Sequence, residues 1–193
     1  MRPLCFSPTK AFSLLELVLA LGLSFLVLSA TTLILIEGFR FYRRNEAILD
    51  LQQSALTSLA RLARELSESN QEGVSVQPAA LLFATPRGRD GSLRIESTGR
   101  FRWSQVVAYW LDATTATLRR GQLELGNPGV DVPDLKRLGW TSVNFSPGQT
   151  VARSALEFEV MLEQSSLAVR LQLGSRVAPL YQVTMTTRVT PRH

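Results

Sequence analysis

Few side chains in this sequence can do chemistry, and their spacing narrows the choice further. The single histidine (His193) and the single cysteine (Cys5) stand at opposite ends of the 193 residues, so a histidine-activated nucleophile would rest on a terminal residue. No GxSxG, Walker, HExxH or CxxC pattern occurs, which removes the common hydrolase, nucleotide, zinc and redox readings. Carboxylates stand close at Glu157/Glu159 and at Asp131/Asp134. The first pair falls on the polar side of an alternating strand pattern, and two acids without a pocket carry no acid–base role. The second pair could lend oxygens to Ca²⁺, but such a site takes about six to eight of them, so a solvated loop is the better reading. The sequence therefore predicts no enzyme, no metal site and no cofactor.

Two constellations remain. Glu16 is the only charged residue between Ala11 and Ile36, and an acid inside so apolar a run costs roughly 2.5–3.5 kcal/mol in lipid unless it has a partner. The other is a basic and aromatic segment, Arg87, Arg89, Arg94, Arg100 and Arg102 with Phe101 and Trp103 interleaved. Arginines neutralise phosphates and aromatic rings stack on bases, so Arg87, Arg89, Arg100, Arg102 and Trp103 are the candidate nucleic-acid contacts. Against that reading, the whole chain carries only +5, from 21 basic and 16 acidic residues, a weak steering field.

The elements that must position these residues follow from periodicity. The run from Ala11 to Ile36 is long enough to cross a bilayer, and it is followed by Phe39, Arg40, Phe41, Tyr42, Arg43 and Arg44, residue types suited to a membrane–water boundary. Ile48, Leu51, Ala55, Leu59, Leu62 and Leu66 then recur at three- and four-residue steps, one face of an amphipathic helix. No proline interrupts residues 9–77, and Asn70 and Gly73 are stop signals. One continuous helix from Phe12 to about Ser69 is predicted.

Beyond residue 73 the period changes to two. Ala80–Ala84 is a short apolar run; Leu93 and Ile95, Gln105–Leu111, Leu156/Phe158/Val160, Leu167/Val169/Leu171/Leu173 and Tyr181/Val183/Met185/Val189 read as strands. Arg119-Arg120-Gly121 reads as a hairpin turn between Leu118 and Leu123/Leu125, and Gly126–Pro133 and Gly139–Gly148 as irregular connections. The expected class is α+β: a long N-terminal helix, half transmembrane and half amphipathic, packed on an antiparallel β-sheet head.

The string Lys10-Ala11-Phe12-Ser13-Leu14-Leu15-Glu16-Leu17-Val18-Leu19-Ala20 resembles the N-terminal signal of type IV pilins and type II secretion pseudopilins. The resemblance implies a leader over residues 1–11, a cut between Ala11 and Phe12 by a prepilin peptidase, and methylation of the new Phe12 amine. Lys10, Ala11 and Phe12 are then the processing residues, and Glu16, fifth in the mature chain, is the filament-assembly residue. Ala11 stands where the family more often has glycine. On this reading residues 12–36 form the transmembrane and assembly helix, 37–72 its amphipathic continuation and 73–193 the β-rich head. Cys5 leaves with the leader, so the mature chain holds no disulfide.

Short strings, Leu59-Ala60-Arg61-Leu62-Ala63-Arg64-Glu65-Leu66, Val106-Val107-Ala108-Tyr109-Trp110-Leu111-Asp112 and Thr117-Leu118-Arg119-Arg120, are similar to the larger minor members, the J-type pseudopilins and W-type minor pilins. The implied partners are the prepilin peptidase, other pilins or pseudopilins, and an assembly platform in the inner membrane. The implied location is that membrane in a single pass, with the head in the periplasm or outside the cell, and then the filament. Two rival readings stay open: a DNA-capturing minor pilin of a competence pilus, and an uncleaved single-pass anchor carrying a β domain.

Overall fold

The structure, a computed structural model, describes residues 13–78, 80–137, 145, 148–174 and 181–192. Helix α1 spans Leu14–Ser67 without interruption, as the absence of proline requires. The chain divides after Glu46 into two compact units, so the second takes in α1 from Ala47 onward together with the strands.

In the first unit every described side chain is exposed, and α1 is long and apolar enough there to cross a membrane. Three of its hydroxyls are satisfied locally. The hydroxyls of Ser29, Thr31 and Thr32 donate to the carbonyls of Phe25, Val27 and Leu28, each at 2.8 Å, which suits a helix that meets no water. Where the apolar run ends, Arg40 pairs with Glu37 at 2.7 Å, one turn apart.

In the second unit the predicted stripe is the buried one: Ala55, Leu59, Leu62 and Leu66 are in the core, with Leu51 packed against it. Ser58 shares that face and stays satisfied, its hydroxyl donating to Ser54 O at 2.6 Å and lying 3.1 Å from Val151 O. After α1, Asn70 caps a single 3-10 turn, Gln71–Gly73, its side chain accepting from Glu72 N at 3.0 Å.

Eight strands follow: β1 Val74–Gln77, β2 Ala80–Thr85, β3 Trp103–Asp112, β4 Thr117–Gly129, β5 Gln149–Arg153, β6 Ala155–Glu163, β7 Ser166–Gly174 and β8 Gln182–Val189. They pair antiparallel into a five-stranded sheet, β1-β2-β3-β4-β5, and a three-stranded sheet, β6-β7-β8. One core lies between the α1 stripe and both sheets, built from Leu81, Phe83, Val107, Tyr109, Leu118, Phe158, Leu167, Val169, Leu171 and Leu173. A second core covers the opposite face of the larger sheet, where Ala80, Leu82, Ala84, Val106 and Ala108 meet Trp103 and Leu135. Strand β2 is thus buried on both faces, the reason its sequence is continuously apolar rather than alternating.

Four details differ from the sequence reading. Leu93 and Ile95 are exposed and take part only in isolated bridges, Arg87 with Leu93 and Ile95 with Phe101, so the segment is a long loop between β2 and β3 and not a core strand. The hairpin turn lies at residues 113–116, where Asp112 Oδ1 accepts from Thr114 N and Thr115 N, and Arg119-Arg120-Gly121 is the interior of β4. Gly121 serves packing there: a Cβ would come 2.9 Å from Cζ3 of Trp110 on β3. Strand β4 also runs to Gly129, into the expected Gly126–Pro133 break. Finally, the ladder shifts register between Ala155 and Glu157; this bulge turns Leu156 outward while Phe158 stays buried.

Candidate functional site

The predicted processing residues Lys10, Ala11 and Phe12 lie outside the described residues; Glu16 lies within them, in the first turn of α1. Its backbone N–H donates to Ser13 Oγ at 3.2 Å, and its Oε2 accepts from Ser13 N at 3.3 Å. This reciprocal capping box satisfies two of the N–H groups that the start of a helix leaves without partners. The acid therefore has an intrachain partner through one oxygen, and its charge sits at the positive end of the helix dipole.

A second set of charges joins the end of α1 to the larger sheet, and the sequence reading did not find it. Glu65 receives three donors: Arg61 Nε at 3.1 Å on Oε1, and Arg120 Nε at 2.8 Å and Tyr109 OH at 3.0 Å on Oε2. Gln122, with its amide oxygen turned toward Arg120, accepts from both terminal nitrogens of that guanidinium. One turn on, Glu68 receives Arg87 through Nε at 2.5 Å and Nη2 at 2.6 Å, the bidentate fork that fits a carboxylate best. Arg87 holds the Glu68 carboxyl below its ordinary value, first through that hydrogen bond. Burial, and then the Glu65 charge, push the Tyr109 phenol up, so it stays protonated and donating.

The basic and aromatic segment is dispersed by this arrangement. Trp103 is 5% exposed, in the second core, so its ring is not presented to a base. Arg87 is held by Glu68, and Arg102 donates to Pro128 O at 3.1 Å. Phe101 is half-buried, with the Arg192 guanidinium 5.4 Å from its ring centre. Arg89 and Arg100 remain exposed. In the other loop considered, Asp134 Oδ1 accepts from Lys136 N at 3.1 Å, capping a short 3-10 turn.

Two signals could have found the charged clamp. Arg61 and Glu65 have the i, i+4 spacing of a helical ion pair. Leu118, Arg120 and Gln122 alternate as a strand face does, a pattern hidden by reading Gly121 as a turn. Comparison with protein-family models, curated proteins and solved structures gives no match.

Proposed function

We propose that the chain is a minor pilin or pseudopilin, a structural subunit of a type IV pilus or of a type II secretion pseudopilus. The observation that carries this reading is Glu16, an acid in the first turn of an exposed apolar helix whose continuation is packed on an antiparallel β head. A bare apolar anchor needs no negative charge there, since the helix cap requires only an acceptor. In a filament, Glu16 would meet the Phe12 ammonium of a neighbouring subunit, so each buried charge gains a partner and misregistered packing leaves one alone. The function is packing: apolar helix faces bundle, Glu16 sets register, and β heads contact neighbouring heads.

The partners on this reading are a prepilin peptidase, other pilins or pseudopilins, and an inner-membrane assembly platform. The protein would pass once through the inner membrane before joining the filament, with its head in the periplasm or outside the cell.

The test is the intact mass and N-terminal sequence of the protein extracted from the membranes of its native cell. A chain beginning at methylated Phe12 is expected. A chain still beginning at Met1, in cells with an active prepilin peptidase, would replace this reading with an uncleaved single-pass anchor.

A further inference from the structure

On the face of the larger sheet turned toward α1, cross-strand rows change character along the strands. Leu81 lies opposite Tyr109, and Phe83 opposite Val107; the next row on the same face pairs Thr85 with Gln105. Beside the end of α1 this polar row floors a cavity of about 310 Å³, walled by Arg64, Glu65 and Glu68, by Arg87, Gly88, Arg89 and Gly91 of the loop after β2, and by Arg120 and Gln122 of β4. Its size is at the lower end of small-ligand sites.

The hydrogen-bond inventory of that cavity is unbalanced. Both carboxylates are engaged, Glu65 by Arg61, Arg120 and Tyr109, and Glu68 by both Nε and Nη2 of Arg87. Arg64 and Arg89 have no side-chain hydrogen bond or ion pair among the described residues. Gln105 is only 2% exposed; its side-chain amide makes no hydrogen bond to described protein atoms and is open to the solvent of the cavity that it lines. Thr85 Oγ1 accepts from Arg87 N at 3.3 Å, which leaves its hydroxyl proton to be donated. Four guanidiniums face two carboxylates, and the surplus donors are two arginines, an amide and a hydroxyl. Glu124, opposite Gln105 in the β3–β4 ladder, is exposed and outside the lining.

We propose that this cavity binds an oxyanion group, carboxylate or phosphate, with Arg64 and Arg89 supplying charge and the Gln105 amide and Thr85 hydroxyl supplying directed hydrogen bonds. Guanidiniums match the oxygen spacing of either anion. The anion could come from a free small molecule or from an acidic side chain of another protein.

The test uses the full chain in a nonionic detergent at constant ionic strength, titrated calorimetrically with inorganic phosphate and, separately, with N-acetylaspartate amide. Saturable binding of at least one probe is expected. Tighter binding of phosphate assigns a free anion as the source, and tighter binding of the aspartyl probe an acidic side chain. Arg89→Gln, at an exposed position, should weaken binding roughly tenfold, the loss of one charge-assisted contact. Gln105→Leu should abolish binding, because it removes the directed hydrogen bond, while the ligand-free variant stays folded with a melting temperature close to wild type. Binding that does not saturate, or that both variants leave unchanged, overturns the proposal.

Discussion

Ser13 and Glu16 cap each other: the serine hydroxyl accepts from the glutamate N–H, and a glutamate oxygen accepts from the serine N–H, at 3.2 and 3.3 Å. The geometry gives Glu16 a use within its own helix besides the intersubunit pairing proposed above. The two uses separate by chemistry. A capping box needs only an acceptor, which glutamine supplies, whereas pairing with a buried ammonium needs the negative charge. Glu16→Gln should therefore be cleaved normally and keep its helix, yet fail to enter filaments, because an unpaired buried ammonium costs about 3–5 kcal/mol. Ser13→Ala should cost the helix only about 1 kcal/mol and still assemble. Filament recovery from sheared cells expressing each variant measures both; wild-type yield from Glu16→Gln would sink the pairing argument and leave capping as the role.

Glu65 is the point through which α1 and the larger sheet are tied by charge. Its side chain is 15% exposed and that of Arg120 10%, so removing the acid strands a guanidinium that water barely reaches. Glu65→Ala should destabilise the folded chain by about 3–5 kcal/mol. Tyr109→Phe, which removes one donor of three, should cost about 1.5–3 kcal/mol. Urea unfolding of the full chain in detergent, followed by tryptophan fluorescence, compares them. An alanine variant no weaker than the phenylalanine variant would show that Glu65 is not the hub.

The sequence announces some of these features and hides others for physical reasons. The α1 stripe was legible because Ala55, Leu59, Leu62 and Leu66 repeat at helical steps with nothing interrupting them, and β7 because Leu167, Val169, Leu171 and Leu173 keep a period of two on an unbroken ladder with β8. At Leu156 the same alternation misleads, since one bulge inverts its face. Gly121 misleads differently: glycine marks turns, but here it makes room for the Trp110 ring. The clamp was illegible because Tyr109 and Arg120 meet Glu65 across 44 and 55 residues, and only the strand register brings them together. Glu16 stood out from the sequence alone because an acid in an apolar run is conspicuous; Gln105 did not, because its place in the cavity wall exists only in the fold.

Acid should weaken the head through Glu68. Its folded carboxyl titrates below the ordinary 4.5 because Arg87 hydrogen-bonds to the ionised form. As pH falls, the unfolded chain takes up that proton first. The contribution is present above about pH 4.5 and is lost as the pH drops through the lower folded value. In Arg87→Gln the largest cause of the depression is removed, so its melting temperature should fall less steeply than wild type between about pH 6 and pH 3. Parallel slopes in the two proteins would mean that the Arg87–Glu68 fork contributes nothing to folding.

The chain passes from one sheet to the other at a single residue. Ser154 separates β5, in the larger sheet, from β6, in the smaller, and its φ of 59° lies in the left-handed region. The peptide group that follows Ser154 is held at both ends, Ala155 N donating to Ala116 O at 2.9 Å and Ser154 O accepting from Gly174 N at 2.8 Å, so the backbone cannot relax without breaking the corner. A non-glycine residue pays about 1–2 kcal/mol for this conformation, and a β-branched one more, because its Cβ substituents crowd the following carbonyl. Ser154→Gly releases that strain but loosens the unfolded chain by about 0.5–1 kcal/mol, so it should be neutral or slightly stabilising. Ser154→Val should lower stability by about 2 kcal/mol, read as a shift in the urea midpoint with unchanged slope. A valine variant as stable as wild type would show that the corner is free to move, and that the two sheets are not held in register by Ser154.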